Sequence, residues 1–164
     1  MQRSALARTC RTVCLMVVPS VMLLLPLAWG QELDRTEVSN REYQAFVLAT
    51  GRAAPAHWHG TEVPAGSEED PVTMVTWYDA RDYCAWRGKR LPTQVEWQAA
   101  CQRQELEKRG DVWEWTQSEE DGWKILCGPQ GTCACTHRYR ASWKNAVKGF
   151  RCAKDAPLAW RRGP

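Results

Sequence analysis

Three stretches of the chain set apolar residues every three or four positions behind a capping residue, which predicts three short helices. In the first, Ser39 stands at the cap with Glu42 three residues on, and Val38 and Tyr43 form a hydrophobic staple. Tyr43, Phe46 and Val47 share one face, and Thr50 and Gly51 end the run. Asp79 is expected to cap a second helix through Ala80, Tyr83 and Cys84, closing at Gly88. The third opens at Thr93 with Glu96 and puts Trp97, Ala100 and Cys101 on one side. Helices this short have little stability alone and must pack against something. Strand signals are weaker. Residues 72–77, entered at Pro71, alternate as a strand, 123–126 as another, and 149–152 as a last one entering the core. Between them, 52–70 is a long loop punctuated by Pro55, Gly60, Pro64 and Gly66. A charged link runs from Cys101 to Gly110, and Val112, Trp113 and Trp115 make a compact apolar knot. Helices mixed with short strands and long loops indicate an α+β fold, not a regular βαβ array.

The first 30 residues have a different character. Arg3, Arg8 and Arg11 precede an apolar run over 13–28 that is interrupted by Pro19 and Pro26 and closes on Ala28 and Gly30. That order is a secretory signal, and the run is shorter than the ~20 apolar residues a span requires. The expectation is cleavage before Gln31, a single domain over 31–164, no stable membrane anchor afterwards, and export to a periplasm, a secretory lumen or the exterior. The signal's three arginines supply the whole formal charge of +3, so 19 Lys plus Arg balance 19 Asp plus Glu in the remainder. Nothing global therefore argues for nucleic acid, and the cluster His137, Arg138, Tyr139, Arg140 is too short to form a track. Six cysteines survive cleavage: Cys84, Cys101, Cys127, Cys133, Cys135 and Cys152. An even count in an exported chain suggests disulfides, while a pair kept reduced to hold a metal stays open.

Residues 33–154 resemble the sulfatase-modifying-factor family, also called the formylglycine-generating-enzyme family. The motifs arrive in family order: LDRTEVSNREYQAFVLATG (33–51), PVTMVTWYDARDYCAWRGKRLPTQVEWQAA (71–100), GDVWEWT (110–116) and GFRCA (149–153). The resemblance implies a compact, low-regularity α+β fold, similar in outline to C-type lectins. Within the family some members oxidise a protein cysteine to formylglycine with oxygen and a copper ion on two cysteines, and others have no known catalysis, so membership specifies fold better than reaction. This chain is short for the family: only residues 102–109 stand where a long insert with a first calcium site is usual.

Carried over by position, the second calcium site would use the side chains of Glu107 and Glu114 and the carbonyls of Gly110 and Val112. Hard oxygens of this kind suit calcium, although the family has asparagine where Glu107 stands. The family's bridges imply Cys84 with Cys152 and Cys101 with Cys135, leaving Cys127 and Cys133 as the catalytic copper pair, their soft thiolates suited to Cu(I). That pair has one intervening residue more than the family's. An alternative alignment puts Cys133 on the first copper position and Arg138 on the second, and a third disulfide is the simpler fate for Cys127 and Cys133. Two functions follow: a copper-dependent oxidase acting on a protein or peptide, or a non-catalytic structural or binding member with every cysteine paired.

Other chemistry is thin. His57 and His59 flank Trp58 with metal-permitting spacing, but a loop decorated with histidines is the simpler reading, and His137 has no spacing that recommends it. Arg87, Lys89 and Arg90 around Gly88 read as charges at a helix end. No nucleophile elbow, phosphate loop or dinucleotide fingerprint occurs.

Overall fold

The computed structural model describes residues 32–129 and 131–155. The signal segment with its cleavage point, Gln130 and the tail from 156 lie outside the described residues.

All three helices start with the same reciprocal device. In α1 (Asn40–Thr50) the Ser39 hydroxyl accepts from the Glu42 N–H at 3.2 Å, and the Glu42 carboxylate accepts from the Ser39 N–H at 2.8 Å. Gly51 ends the helix at φ 67°, its N–H bonded to the Val47 carbonyl, a left-handed turn that a Cβ would strain. The second helix departs from expectation. α2 (Trp77–Trp86) is capped by Thr76, and Asp79 is the acid three residues on, accepting from the Thr76 N–H at 2.8 Å. A hydroxyl with an acid at that spacing satisfies two free N–H groups, where Asp79 as cap would satisfy one. α3 (Gln94–Gln102) repeats the box with Thr93 and Glu96.

The strand expected over 72–77 does not form. Val72 N–H reaches the Val38 carbonyl and Met74 N–H the Asn145 carbonyl, which are single contacts to different neighbours. Met74, at φ 58°, then breaks the extended run before α2 begins. The apolar knot is instead the start of β2 (Trp113–Glu120), which pairs antiparallel with β3 (Trp123–Cys127) through a turn at Asp121 and Gly122, both at positive φ. β4 (His137–Tyr139) lies on the outer edge of β3. β5 (Lys148–Gly149) runs parallel to β2, giving the order β4-β3-β2-β5. A second, two-stranded sheet joins β1 (Glu32–Leu33) to β6 (Ala153–Lys154). The last strand anticipated at 149–152 is thus split: Phe150, Arg151 and Cys152 are buried between β5 and β6. Gly149 is needed there, because a Cβ would meet Val112 Cγ2 and the Val72 carbonyl at 3.1 Å.

The core lies where α1 and α2 meet this segment. Tyr43, Tyr83 and Phe150 pack with ring centroids 5.4–6.3 Å apart, joined by Phe46, Val47, Val72, Trp115 and Leu126. Each fully buried ring contributes about 2–3 kcal/mol of hydrophobic stabilisation. The Cys84–Cys152 disulfide, Cα–Cα 5.6 Å, ties α2 to the residue two beyond Phe150 inside this cluster.

Candidate functional site

Glu114 sits between Trp113 and Trp115 on β2, so the alternation of the strand turns it to the opposite face, towards the 34–37 segment. There it is fully buried with Arg151 and Glu37. Arg151 donates to both its oxygens, at 2.6 and 2.9 Å, and the Trp97 indole adds a third bond at 2.9 Å. The Lys108 ammonium completes the set, bonded to Glu114 and 3.3 Å from Glu37 Oε1. Glu37 Oε2 accepts from the Arg109 N–H, while its Oε1 accepts no hydrogen bond and relies on the nearby Lys108 and Arg151 charges. Burial alone would push the Glu114 carboxyl up, but Arg151 and Lys108 outweigh it and hold the group down at about 2.

This arrangement does not fit the calcium ligand set. Glu107 is exposed, pairing with Arg35 at 2.5 Å, and its carbonyl accepts from Arg151. The Val112 carbonyl faces Gly128, and both Glu114 oxygens are already taken by cationic donors. Two carboxylates and two cations balance without a metal, and a calcium ion would have to displace Lys108. No group of three or more His, Cys, Asp or Glu residues that could hold a metal ion occurs among the described residues.

The cysteines are also arranged differently. Cys101 is bonded to Cys133, not to Cys135, and Cys127 is bonded to Cys135. The reason lies in the loop after β3: Gly128 N–H bonds the Ala134 carbonyl, so the neck of the loop sets Cys127 opposite Cys135. Cys133 is then left beside α3, where Gln98 donates to its carbonyl and Cys101 awaits it. Cys127 and Cys133 therefore belong to separate bridges and do not form a two-thiolate copper site. Arg138, the other residue aligned with a copper position, pairs with Glu120 across the hairpin.

The remaining candidates have local roles. His57 and His59 are exposed on a turn, with burial pushing the His57 imidazole down, and Trp58 between them is buried. Lys89 pairs with Asp34, and Arg90 grips Glu96 through two bonds at 2.7 and 2.8 Å and also reaches Asp155. Arg87 lines a polar cavity with Asp34, Glu42 and Tyr83.

What the sequence did not reveal is an aromatic and basic surface where α2 meets the outer sheet. Arg81 lies over Trp77 and Tyr78, at 5.4 and 5.5 Å, and Lys124 lies 3.9 Å over Trp77. Arg140 stacks on Trp123 at 4.7 Å, and Trp143 meets both Trp123 and Tyr139 edge-on. Tyr78 and Trp143 are about half exposed, at 45% and 49%. Only the short run from His137 to Arg140 hinted at it, because the partners come from three separate segments.

Three capped helices packed on a small curled sheet, with short strands and long connections, define an α+β domain of the formylglycine-generating-enzyme type. The solved structure of CarF has this fold: it superposes with a TM-score of 0.57 at 16% identity, over 76% of this chain and 86% of that one. Residues 29–109 match the family model described as the sulfatase-modifying factor enzyme 1-like domain. Formylglycine-generating enzyme of Thermomonospora curvata is 34% identical over 108 residues, covering 42% of this chain and 36% of that protein. Hercynine oxygenase of Mycolicibacterium thermoresistibile is 34% identical over 95 residues, covering 42% and 21%. Inactive C-alpha-formylglycine-generating enzyme 2 of Bos taurus is 57% identical over 47 residues, covering 29% and 15%. The chain belongs to the sulfatase-modifying-factor family. It spans between 15% and 36% of the length of these three relatives.

Proposed function

We propose that this domain is a protein- or peptide-binding member of the sulfatase-modifying-factor family whose cysteines cross-link the fold and do not carry copper. One observation carries this reading: all six cysteines from Cys84 onward are in disulfides, with Cys127 and Cys133 in different ones. Copper-thiolate chemistry requires two free thiolates on one ion. The half-exposed Tyr78 and Trp143, set among arginines and lysines, have the composition of a protein-binding surface. Agreement comes from the relative named as inactive. Three disulfides also accord with an oxidising compartment, and no helix among the described residues is long and apolar enough to cross a membrane.

A second reading is the copper-dependent oxidase that converts a protein cysteine to formylglycine. It is favoured by the relative named formylglycine-generating enzyme, and it requires the Cys127–Cys135 bridge, only eight residues apart, to open into a thiol pair. Purification without reductant, followed by alkylation, peptide mapping and Cu(I) titration, separates the two. The binding reading expects no alkylated cysteine and no copper uptake. A 1:1 copper complex lost in Cys127→Ser would establish the oxidase reading in its place.

A further inference from the structure

The chain entering α2 and the 141–145 segment are laced together. Trp77 N–H donates to the Ala141 carbonyl and Met74 N–H to the Asn145 carbonyl, each at 3.0 Å. A cavity of about 360 Å³ lies at this seam. A water molecule needs only about 10–15 Å³, so there is room for a whole side chain. Tyr43, Pro55, Met74 and Val75 supply apolar lining, and the Arg52–Asp79 ion pair, at 3.0 Å, supplies polar lining. Lys144 joins them from the 141–145 segment. Met74 holds φ 58°, a conformation uncommon outside glycine, and its unbranched thioether adapts to apolar partners of varied shape.

Lys144 is exposed and, like the exposed Arg140, forms no ion pair among the described residues. Trp143 lies between them in sequence, and its N–H donates to the Arg140 carbonyl at 3.0 Å, so the three share one turn. The half-exposed Tyr78 adjoins Asp79 of the cavity lining. The carboxylates of α2 and β2 are committed elsewhere. Asp79 and Asp82 hold Arg52, and Asp82 also holds Arg81. Glu119 pairs with Lys124, Glu120 with Arg138, and Glu114 with Arg151 and Lys108. Two uncompensated cations beside an apolar cavity and exposed rings match a partner that brings carboxylates together with an apolar side chain.

Resting on the protein-binding reading above, we propose that this surface docks an extended acidic peptide segment of the partner. One aliphatic side chain enters the cavity, and glutamate or aspartate side chains pair with Lys144 and Arg140. Successive side chains of an extended peptide point to opposite sides, so the acids stand two residues from the aliphatic one. Trp143 and Tyr78 pack on the stems of these side chains, as exposed aromatic rings do at the centre of protein interfaces. The charges on Lys144 and Arg140 are exposed, so they act mainly on the choice of partner and are screened by salt.

The test titrates the oxidised full chain by calorimetry with peptides of one glycine-serine frame. Their centres read Glu-Ser-Leu-Ser-Glu, Gln-Ser-Leu-Ser-Gln or Lys-Ser-Leu-Ser-Lys. The glutamate peptide is expected to bind on the order of tenfold tighter than the glutamine one, and the lysine one weakest. That preference should largely vanish at about 1 M salt, where charges are screened within about 3 Å. Replacing the central leucine of the glutamate peptide by glycine should weaken binding roughly tenfold or more. The double variant Arg140→Gln, Lys144→Gln should keep the wild-type melting temperature, both positions being exposed, and bind the glutamate and glutamine peptides alike. Equal affinity of wild type for those two peptides would overturn the proposal and leave the protein-binding reading standing, as would a glycine centre that binds as well as leucine. Neither result needs a variant. No saturable binding of any peptide would overturn both.

Discussion

The helical segment, residues 32–109, and the sheet segment, residues 110–155, stabilise themselves in opposite ways. The helical segment relies on local chemistry: three reciprocal capping boxes within three-residue windows, each followed by an apolar stripe. The sheet segment has strands of two to eight residues with little autonomy, and distant partners hold it in place. Arg151 reaches Glu114 across 37 positions, Cys152 reaches Cys84 across 68, and Lys148 finds its ring in Tyr139. Local devices can be lost singly at small cost, whereas a long-range partner leaves a buried orphan behind when it is removed. The family model matches 29–109, the half whose signals are local.

That contrast orders the expected effects. The largest should come from Glu114→Ala, which leaves Arg151 buried without its carboxylate and Lys108 without its main partner. A loss of roughly 3–5 kcal/mol in urea denaturation is expected. A loss below 1 kcal/mol would mean that water reaches this site and the sheet segment is less dependent on distant pairing than described. The same group sets an acid limit. Its carboxyl is held below the unfolded value, so its stabilisation is present above about pH 4.5 and disappears as pH falls towards 2. Wild type should therefore lose stability through that window more steeply than Glu114→Ala, as denaturant titrations at several pH values would show.

The disulfides should rank by the chain they enclose. Removing Cys84–Cys152 by double serine substitution should cost about 4 kcal/mol, and removing Cys127–Cys135, with a sequence separation of eight, about 2.5 kcal/mol. Thermal melts of the two double variants provide the comparison. A larger loss from the short bridge would show that the loop after β3, not the helix-to-strand staple, organises the sheet. Nonreducing peptide mapping of wild type adds the connectivity itself, and Cys101 linked to Cys135 would contradict the fold described.

The smallest effects belong to the caps. Ser39→Ala, Thr76→Ala and Thr93→Ala should each cost about 1 kcal/mol and add independently, because the three boxes share no partner. A triple variant much worse than the sum would mean that the helical half is as cooperative as the sheet half. Chemical denaturation of the three single variants and the triple measures this directly.

Much of the first half was legible from residues alone, because capping chemistry is written within a turn of sequence. Ser39 with Glu42, and Thr93 with Glu96, are readable without neighbours, and the motif order 33–154 carried the family. Even the error at α2 was local: Thr76 and Asp79 form the same box, and the acid was read as the cap when it is the third helical residue. Sheet pairing was another matter. Nothing near Glu114 announces that Lys108 and Arg151 will fill the place of a cation, since those charges converge only when three segments pack. Six cysteines spread over residues 84–152 likewise leave their pairing undetermined, because a disulfide depends on which Cβ atoms come within a few ångströms. The Gly128 to Ala134 hydrogen bond made that choice, turning Cys127 to Cys135 and leaving Cys133 for α3. Residue order thus determined where helices begin and which family the chain joins, whereas tertiary packing decided which charges are neutralised, which sulfurs meet and which amine is left among rings. Capping energies act over a single turn, but burial and Coulomb partners are defined only after distant segments share one low-dielectric interior.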